Sequence, residues 1–512
     1  MTFRYITTPL YYVNDRPHMG HAYASIHADV VARYLRAAGH QVMFVSGVDE
    51  HGEKIARAAA AAGETPQAFA DRYTGAFEQA WKQLGVHHDR FVRTSAQVHT
   101  EVVSRSLKRL YDAGEIYLAD YEGLYSVGQE RFVTEKELVD GKLPEDRDPP
   151  VVRREANYFF RMEKHRDSIR QLLHDEPQLI EPPHYRNEVL RLLDDCIGDL
   201  SISRPRGRLE WGIPIPWDPQ HVTYVWFDAL LGYVSPLHYP DGRAYRDFWP
   251  TTRHVIGKDI LRPHTLFWLA ISRALGIAPY QRLYVSGHLL GSDGRKMSKS
   301  LGNGVDPLEA AARYGADVLR YALVREVTFG VDGVISHEAI ERRLHRDLAD
   351  GLGNLVSRTL AMIVRYRDGR IPSPGPYTTL EDEIARRAAA LPIEVLGLVD
   401  DLKLAQAMER IFEFIRHLNG YVAATEPWAL ARSDAGLLRI NTVLHTLAEG
   451  IHTAASLLAP VLPSSMSQLR NLLGCVNDER WAVPWGQGVI AGSSVRETIL
   501  FPKRSPIDGP SS

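Results

Sequence analysis

The sequence predicts an α/β protein: a parallel sheet built in two halves, an insertion between the halves, and a separate α-helical region behind them. Three observations predict it. A strand, a helix and a second strand follow one another within the first fifty residues; short strands and Pro-rich turns replace that rhythm from Glu115 to about Asp218; and from about Ser336 to Ala482 nearly every segment has helical periodicity. The expected segments are 1–114, the first half of the sheet domain; 115–218, the insertion; 219–335, the second half; 336–488, the helical domain; and 489–512, a C-terminal tail.

The first unit sets the pattern. Phe3 to Thr8 is β-rich, and Pro9 to Arg16 is expected to be a loop. Pro17 stands where a helix takes its first residue, and Tyr23, Ile26, Val30 and Tyr34 recur at three- and four-residue spacing until Gly39 stops the helix. Gln41 to Val48 is a second apolar strand. So short a crossover implies parallel pairing in a right-handed unit, with ligands at the C-terminal strand ends. The loop before His18 and the tip at Asp49 then lie side by side.

From Asp49 to about Ala113 helices dominate: an Ala-rich one through Ala62, then one opened by Thr65-Pro66 with Phe69, Tyr73, Phe77, Trp81 and Leu84. In the insertion, Pro144, Pro149-Pro150, Pro182-Pro183, Pro214 and Pro216 punctuate short strands. The α/β rhythm resumes at Thr223-Tyr-Val-Trp-Phe-Asp228, with further strands at His254 to Gly257 and Leu283 to Ser286. The helical region is interrupted by Arg370 to Pro376, and Pro506 to Ser512 reads as a frayed tail.

Composition narrows the class. A chain of 512 residues with 45% hydrophobic residues holds two to four domains with real cores. Its 60 Lys+Arg against 63 Asp+Glu leave a net charge of −3, which excludes supercharged or disordered chains and does not advertise a nucleic-acid partner. Two cysteines, Cys196 and Cys475, supply neither a disulfide framework nor a four-thiolate metal site, so reducing cytoplasm is expected. No apolar run reaches the roughly 18–20 residues a bilayer requires, and no membrane partner is expected.

Two elements carry phosphate chemistry. His18-Met-Gly-His21 lies inside a helix N-terminus that follows a strand. Its imidazoles share a helix face, the free N–H groups offer an anion site, and Gly20 permits close approach. Alone, such a pair also suits a solvated helix end or a partial metal site; no carboxylate or thiolate at matching spacing supports the metal. Lys296-Met-Ser-Lys-Ser300, after Gly291-Ser-Asp-Gly-Arg295, is a basic loop suited to holding a polyphosphate, though a surface turn reads the same way. Both elements, in this order and each at a predicted strand end, favour phosphate.

Together they resemble the HIGH and KMSKS motifs of class I aminoacyl-tRNA synthetases. The segments Pro9-Leu-Tyr-Tyr-Val-Asn14, Gly47-Val-Asp-Glu-His-Gly52, Tyr224-Val-Trp-Phe-Asp-Ala-Leu-Leu-Gly-Tyr233, Ile256-Gly-Lys-Asp-Ile260 with His264 and Phe267-Trp268, and Asn354-Leu-Val-Ser-Arg358 are similar to the methionyl-tRNA synthetases, over the chain to about Gly488. The resemblance implies a Rossmann-like catalytic domain, a connective-peptide insertion and an α-helical anticodon-binding domain. It implies a methionine–tRNA ligase that joins methionine and ATP into methionyl-adenylate and pyrophosphate. The methionyl group then passes to the 3′-terminal adenosine of tRNA(Met), the initiator included.

By the same resemblance His18, His21, Lys296 and Lys299 are catalytic, and with Gly20, Gly257 and Asp259 they bind ATP, with Mg²⁺ on the pyrophosphate end. Asp49 pairs with the ammonium of methionine. Pro9, Leu10, Tyr12, Val225, Trp226, Ala229, Tyr233, Ile260, His264 and Trp268 match the methionine pocket, where aromatic edges suit a thioether and a donor from Tyr12 or His264 is expected to meet its sulfur. Asn354, Arg358 and Trp428 match anticodon readers; a ring gives an unstacked base a platform, and Asn and Arg read base edges and phosphates.

One departure stands out. Relatives carry a zinc knuckle of two C-x-x-C pairs, whereas Tyr125-Ser-Val-Gly-Gln129 and Gly141 to Pro150 contain no cysteine, so no zinc is expected. An insertion of this size leaves no room for the editing domain of leucyl, isoleucyl or valyl synthetases, and a cysteinyl enzyme needs thiolate zinc ligands. A small-molecule nucleotidylyltransferase leaves the helical domain unexplained, and a silent tRNA-binding paralogue leaves the intact motifs unexplained. The chain ends soon after its helical domain, so a monomer is expected.

Overall fold

The computed structural model describes residues 2–126, 131–133, 135, 138–143, 148–297, 302–475 and 482–502. Its centre is a six-stranded parallel sheet of β1 (Phe3–Tyr12), β2 (Gln41–Asp49), β3 (Arg90–Arg93), β4 (Ile180–Glu181), β5 (Thr252–Gly257) and β6 (Arg282–Ser286), in the order β3-β2-β1-β5-β6-β4. Both faces are covered. Tyr5 and Val45 face one buried cluster while Ile6, Phe44 and Val48 face the other, as expected of parallel strands without a polar side.

The register brings Tyr12 opposite Asp49 and Gly257 opposite Ser286, so one edge of the sheet gathers four strand ends. β1 runs on to Tyr12, four residues beyond the expected strand end at Thr8. Its register shifts between Thr7 and Leu10, where Pro9 has no N–H to give to a ladder. The loop read at Pro9 to Arg16 is therefore only its second half.

α1 (Met19–Ala37) crosses from β1 to β2 and starts two residues after Pro17, with His18 as its N-cap. α2 (Gln97–Asp112) leads into the insertion, whose main body is an antiparallel sheet of Arg131–Val133, Ile116–Ser126, Val151–Phe160 and Leu200–Ser201. The stretch 115–218 also returns a strand to the central sheet, since β4 pairs with β6 through Leu283 and Ile180. The run at Thr223 to Asp228 is not a strand beyond Thr223: it enters α3 (Val225–Leu231). Aromatic and β-branched composition suggests a strand there, but Phe227 and Leu231 pack at helical spacing into the core behind the sheet. Of the missing-knuckle region, 127–130 and 144–147 lie outside the described residues.

The helical region starts ahead of the expected boundary at Ser336, with a helix at Pro307–Tyr314 and α4 (Ala316–Glu326), continues through a π-helical run Leu344–Gly353 into α5 (Asn354–Arg367), and includes α6 (Asp434–Leu458). It is joined to the sheet domain by buried polar contacts: the Tyr34 hydroxyl donates to the Leu457 carbonyl at 2.6 Å, and Arg320 meets Asp29 at 2.6 Å. Residues 489–502 are not a loose tail. The Ile371 amide donates to Ser493 O at 3.0 Å, the Ser357 hydroxyl to Thr498 O at 3.0 Å, and Leu500 and Phe501 are buried. Residues 503–512 lie outside the described ones. Among the described residues no helix is long and apolar enough to cross a membrane.

Candidate active site

A cavity of about 950 Å³ opens at the C-terminal ends of β1, β2, β5 and β6. Tyr12, Asp49, Gly257 and Ser286 line it from those four strands, and the first turn of α1 enters from one side. Sixteen sequence-predicted residues meet here: Pro9, Leu10, Tyr12, His18, Gly20, His21, Asp49, Val225, Trp226, Ala229, Tyr233, Gly257, Asp259, Ile260, His264 and Lys296. Trp268 does not reach the wall; it is fully buried one layer behind, 6.2 Å from the Tyr233 ring. Lys299 lies outside the described residues.

The two motif histidines cap their own helix. The Gly20 amide donates to His18 Nδ1 at 3.1 Å, and the His18 amide donates to His21 Nδ1 at 3.3 Å. A backbone N–H can only donate, so both Nδ1 atoms are unprotonated and each ring carries its proton on Nε2. The rings stack 3.6 Å apart, and Tyr11 supports His21 from behind at 4.8 Å. Two Nε2–H donors are thus held at a helix N-terminus, the place best suited to an anion. A side chain at Gly20 would crowd this cap: a Cβ there would stand 3.1 Å from His18 Cε1, so the His18 ring would have to shift.

On the far side, a Cβ at Gly257 would lie 2.5 Å from Asp259 Oδ1, so the missing side chain is what lets that carboxylate fold back over the strand end. Between the two sides, α3 presents Val225, Trp226 and Ala229, while a π-helical turn, Pro263–Phe267, carries His264. His264 Nδ1–H donates to Ile260 O at 2.8 Å, leaving Nε2 to accept the Tyr233 hydroxyl proton at 2.7 Å. Both ring nitrogens are engaged. The N–H that the family resemblance leads one to expect from His264 toward a sulfur atom is not there to give in this tautomer, and the ring orients Tyr233 instead.

Burial lowers His264 from 6.5 to about 4, and also holds His254 well below its ordinary value, with His264 adding to that effect. The sign follows from proton counting. The unfolded chain binds protons near 6.5 that the folded one refuses until about 4, so this stability is complete above pH 6.5 and is lost as pH falls toward 4. At about pH 5 His264 alone is expected to cost roughly 2 kcal/mol. Urea midpoints measured at about pH 7.5 and about pH 5 check this: His264→Asn is expected to show a smaller drop than the parent.

Four basic groups in the wall escaped the sequence reading: Arg16, Lys54, Arg262 and His288. Arg16 and Lys54 sit within two residues of the quoted motifs, and Lys54 Nζ stands 5.7 Å over the Tyr12 ring. Proximity to those motifs was the available signal. Among the described residues no three His, Cys, Asp or Glu side chains gather to hold a metal ion.

A second cluster lies in the helical region. Asn354 and Arg358 are exposed one turn apart on α5, and the Arg358 guanidinium stands 5.9 Å over the Trp428 ring. Trp428 is 41% exposed rather than a buried anchor. Glu426 before it adopts φ of 41°, an uncommon left-handed turn that starts the short helix Pro427–Leu430.

A family model described as tRNA synthetases class I (M) matches residues 4–149 and 136–360. The methionine–tRNA ligase of Deinococcus radiodurans is 49% identical over 98% of this chain and 74% of its own length. That of Mycobacterium bovis is 39% identical over 99% of both chains. A solved structure of Mycobacterium tuberculosis methionyl-tRNA synthetase in complex with methionyl-adenylate superposes with a TM-score of 0.94 at 39% identity, covering 98% of this chain and all of that one. The apo form of the same enzyme gives 0.88 at 35% identity over 99% of both. Family model, relatives and fold converge along nearly the whole sequence, and the chain belongs to the methionyl-tRNA synthetases of class I.

Proposed function

We propose that this chain joins methionine to tRNA(Met), initiator tRNA included, through methionyl-adenylate. The observation that carries the reading is the cavity itself, which puts two fixed Nε2–H donors, a carboxylate, an apolar and aromatic wall and Lys296 around one space. In the first step a methionine carboxylate oxygen attacks the α-phosphorus of ATP. The bond from that phosphorus to the bridging oxygen breaks, and pyrophosphate leaves. No side-chain nucleophile is required, so catalysis is positioning plus stabilisation of phosphate charge.

His18 and His21 are proposed to donate to phosphate oxygens, Lys296 and Lys299 to hold the leaving pyrophosphate, and Gly257 and Asp259 to seat the adenosine. Asp49 takes the ammonium. Pro9, Leu10, Tyr12, Val225, Trp226, Ala229, Tyr233 and Ile260 surround the side chain, with His264 and Trp268 setting the Tyr233 ring. Mg²⁺ is proposed to arrive on the ATP phosphates, which supply oxygen ligands without a protein cage. Zinc has no place in the proposal, because two cysteines cannot form the family knuckle. A monomer working in the cytoplasm fits the same reading.

Pyrophosphate exchange into ATP across the amino acids tests the substrate. Methionine is expected to stimulate exchange; stimulation by leucine or cysteine instead would overturn the assignment. The second step, transfer to the terminal adenosine, is proposed to depend on anticodon recognition by Asn354, Arg358 and Trp428. Trp428→Ala is then expected to leave exchange intact while weakening tRNA charging by about 1–3 kcal/mol, the worth of one stacked base. Equal charging of tRNA(Met) and an anticodon-altered transcript by the parent enzyme would count against that role.

A further inference from the structure

We propose that Asp228 is a positioning residue that holds the ammonium end and the side-chain end of the methionine site in register. Asp228 belongs to α3, whose Val225, Trp226 and Ala229 line the cavity, yet its own carboxylate is fully buried and turned away from that space. His51 Nδ1–H donates to one oxygen at 2.6 Å and His99 Nε2–H to the other at 2.6 Å. A carboxylate only accepts, so both imidazoles must present protons to it. Burial alone would raise the Asp228 carboxyl; the charge of His51 and the hydrogen bonds from both histidines outweigh it and hold the group below its ordinary value.

The two partners come from different elements, and one of them reaches back to the segment after α3. His51 follows Asp49 by two residues, His99 lies on α2, and His99 Nδ1 also meets the Ser235 hydroxyl, just past α3, at 2.9 Å. Between Asp49 and His51, the Glu50 carboxylate is buried and accepts from Thr74 at 2.7 Å and Arg93 at 2.9 Å. The chain leaving Asp49 is therefore pinned twice, once to the sheet side and once to α3. Helix packing alone does not require this: an apolar contact of the same shape would hold α3 at lower cost. What a short bridge of two hydrogen bonds to one carboxylate adds is a defined distance between Asp49 and the wall, and reacting groups tolerate little misplacement.

This inference rests on the proposed pairing of Asp49 with the methionine ammonium, and the test separates the two. In pyrophosphate exchange, Asp228→Asn is expected to raise the methionine KM about tenfold, with the ATP KM within about twofold and kcat changed less than KM. His51→Gln is expected to act in the same direction, and it carries the test if Asp228→Asn does not fold. The inhibition constant of 4-(methylthio)butanoate, which has the side chain but no ammonium, is expected to stay at the parental value. The inference is overturned if the folded variants keep the parental methionine KM, or if the inhibition constant rises in step with it, which would mean a collapsed wall. Asp49→Asn is the control arm. A parental methionine KM in that variant removes the ammonium reading itself; a raised one alongside unchanged Asp228 and His51 variants removes only this inference.

Discussion

His21→Ala is expected to slow methionine-dependent pyrophosphate exchange by about 10²–10³-fold, the cost of one preorganised donor to developing phosphate charge. The size follows from how the ring is held. His21 Nδ1 is occupied by the His18 amide and the ring is stacked on His18, so Nε2–H is aimed before substrate arrives and needs no reorganisation during the reaction. The substitution also removes half of the helix cap, which is worth about 1 kcal/mol of stability. Thermal melting therefore separates the two effects: a small loss of stability with a large loss of exchange is expected. Near-parental exchange in a folded His21→Ala protein would exclude the ring from the chemistry.

Much of this site is legible because it is local. The strand, the His18 cap and the second strand ending at Asp49 are one continuous stretch, and their side-by-side placement follows from parallel pairing. What sequence reading misses depends on distance along the chain. Asp228 lies 177 residues from His51 and 129 from His99, so no spacing announces the bridge. Trp268 shares its motif context with true wall residues and is told apart only by packing, which places it behind Tyr233. The run at Val225 to Asp228 shows the limit of composition: a buried helix and a buried strand present the same apolar string until their neighbours are known. Net charge misleads for a related reason. Lys54, Arg16, Arg262 and Lys296 concentrate around one cavity, and the total of −3 averages them with acidic surface elsewhere.

The buried pair Asp29–Arg320 carries the largest expected effect on stability. Asp29 lies in α1, the helix whose first turn holds the motif histidines, and both side chains are fully buried. Arg320, on α4, donates to Asp29 at 2.6 Å, to Pro460 O at 2.9 Å, to Val461 O at 3.0 Å and to Gly85 O at 3.1 Å. One guanidinium thus satisfies carbonyls from the sheet domain and from the turn that ends α6, with burial lowering its proton affinity and Asp29 countering that. Arg320→Ala leaves those acceptors and a buried carboxylate without it, and is expected to cost about 3–5 kcal/mol. Arg33, 2.7 Å from Asp29, limits the loss by keeping a second cation on the same oxygen. Urea unfolding of Arg320→Ala, Asp29→Asn and the double variant provides the check. The double variant is expected to be more stable than the sum of the single losses implies, because it removes the charge that Arg320→Ala strands. Strict additivity would mean that the two residues hold the domains together independently, and that α1 is not anchored to the helical region through this pair.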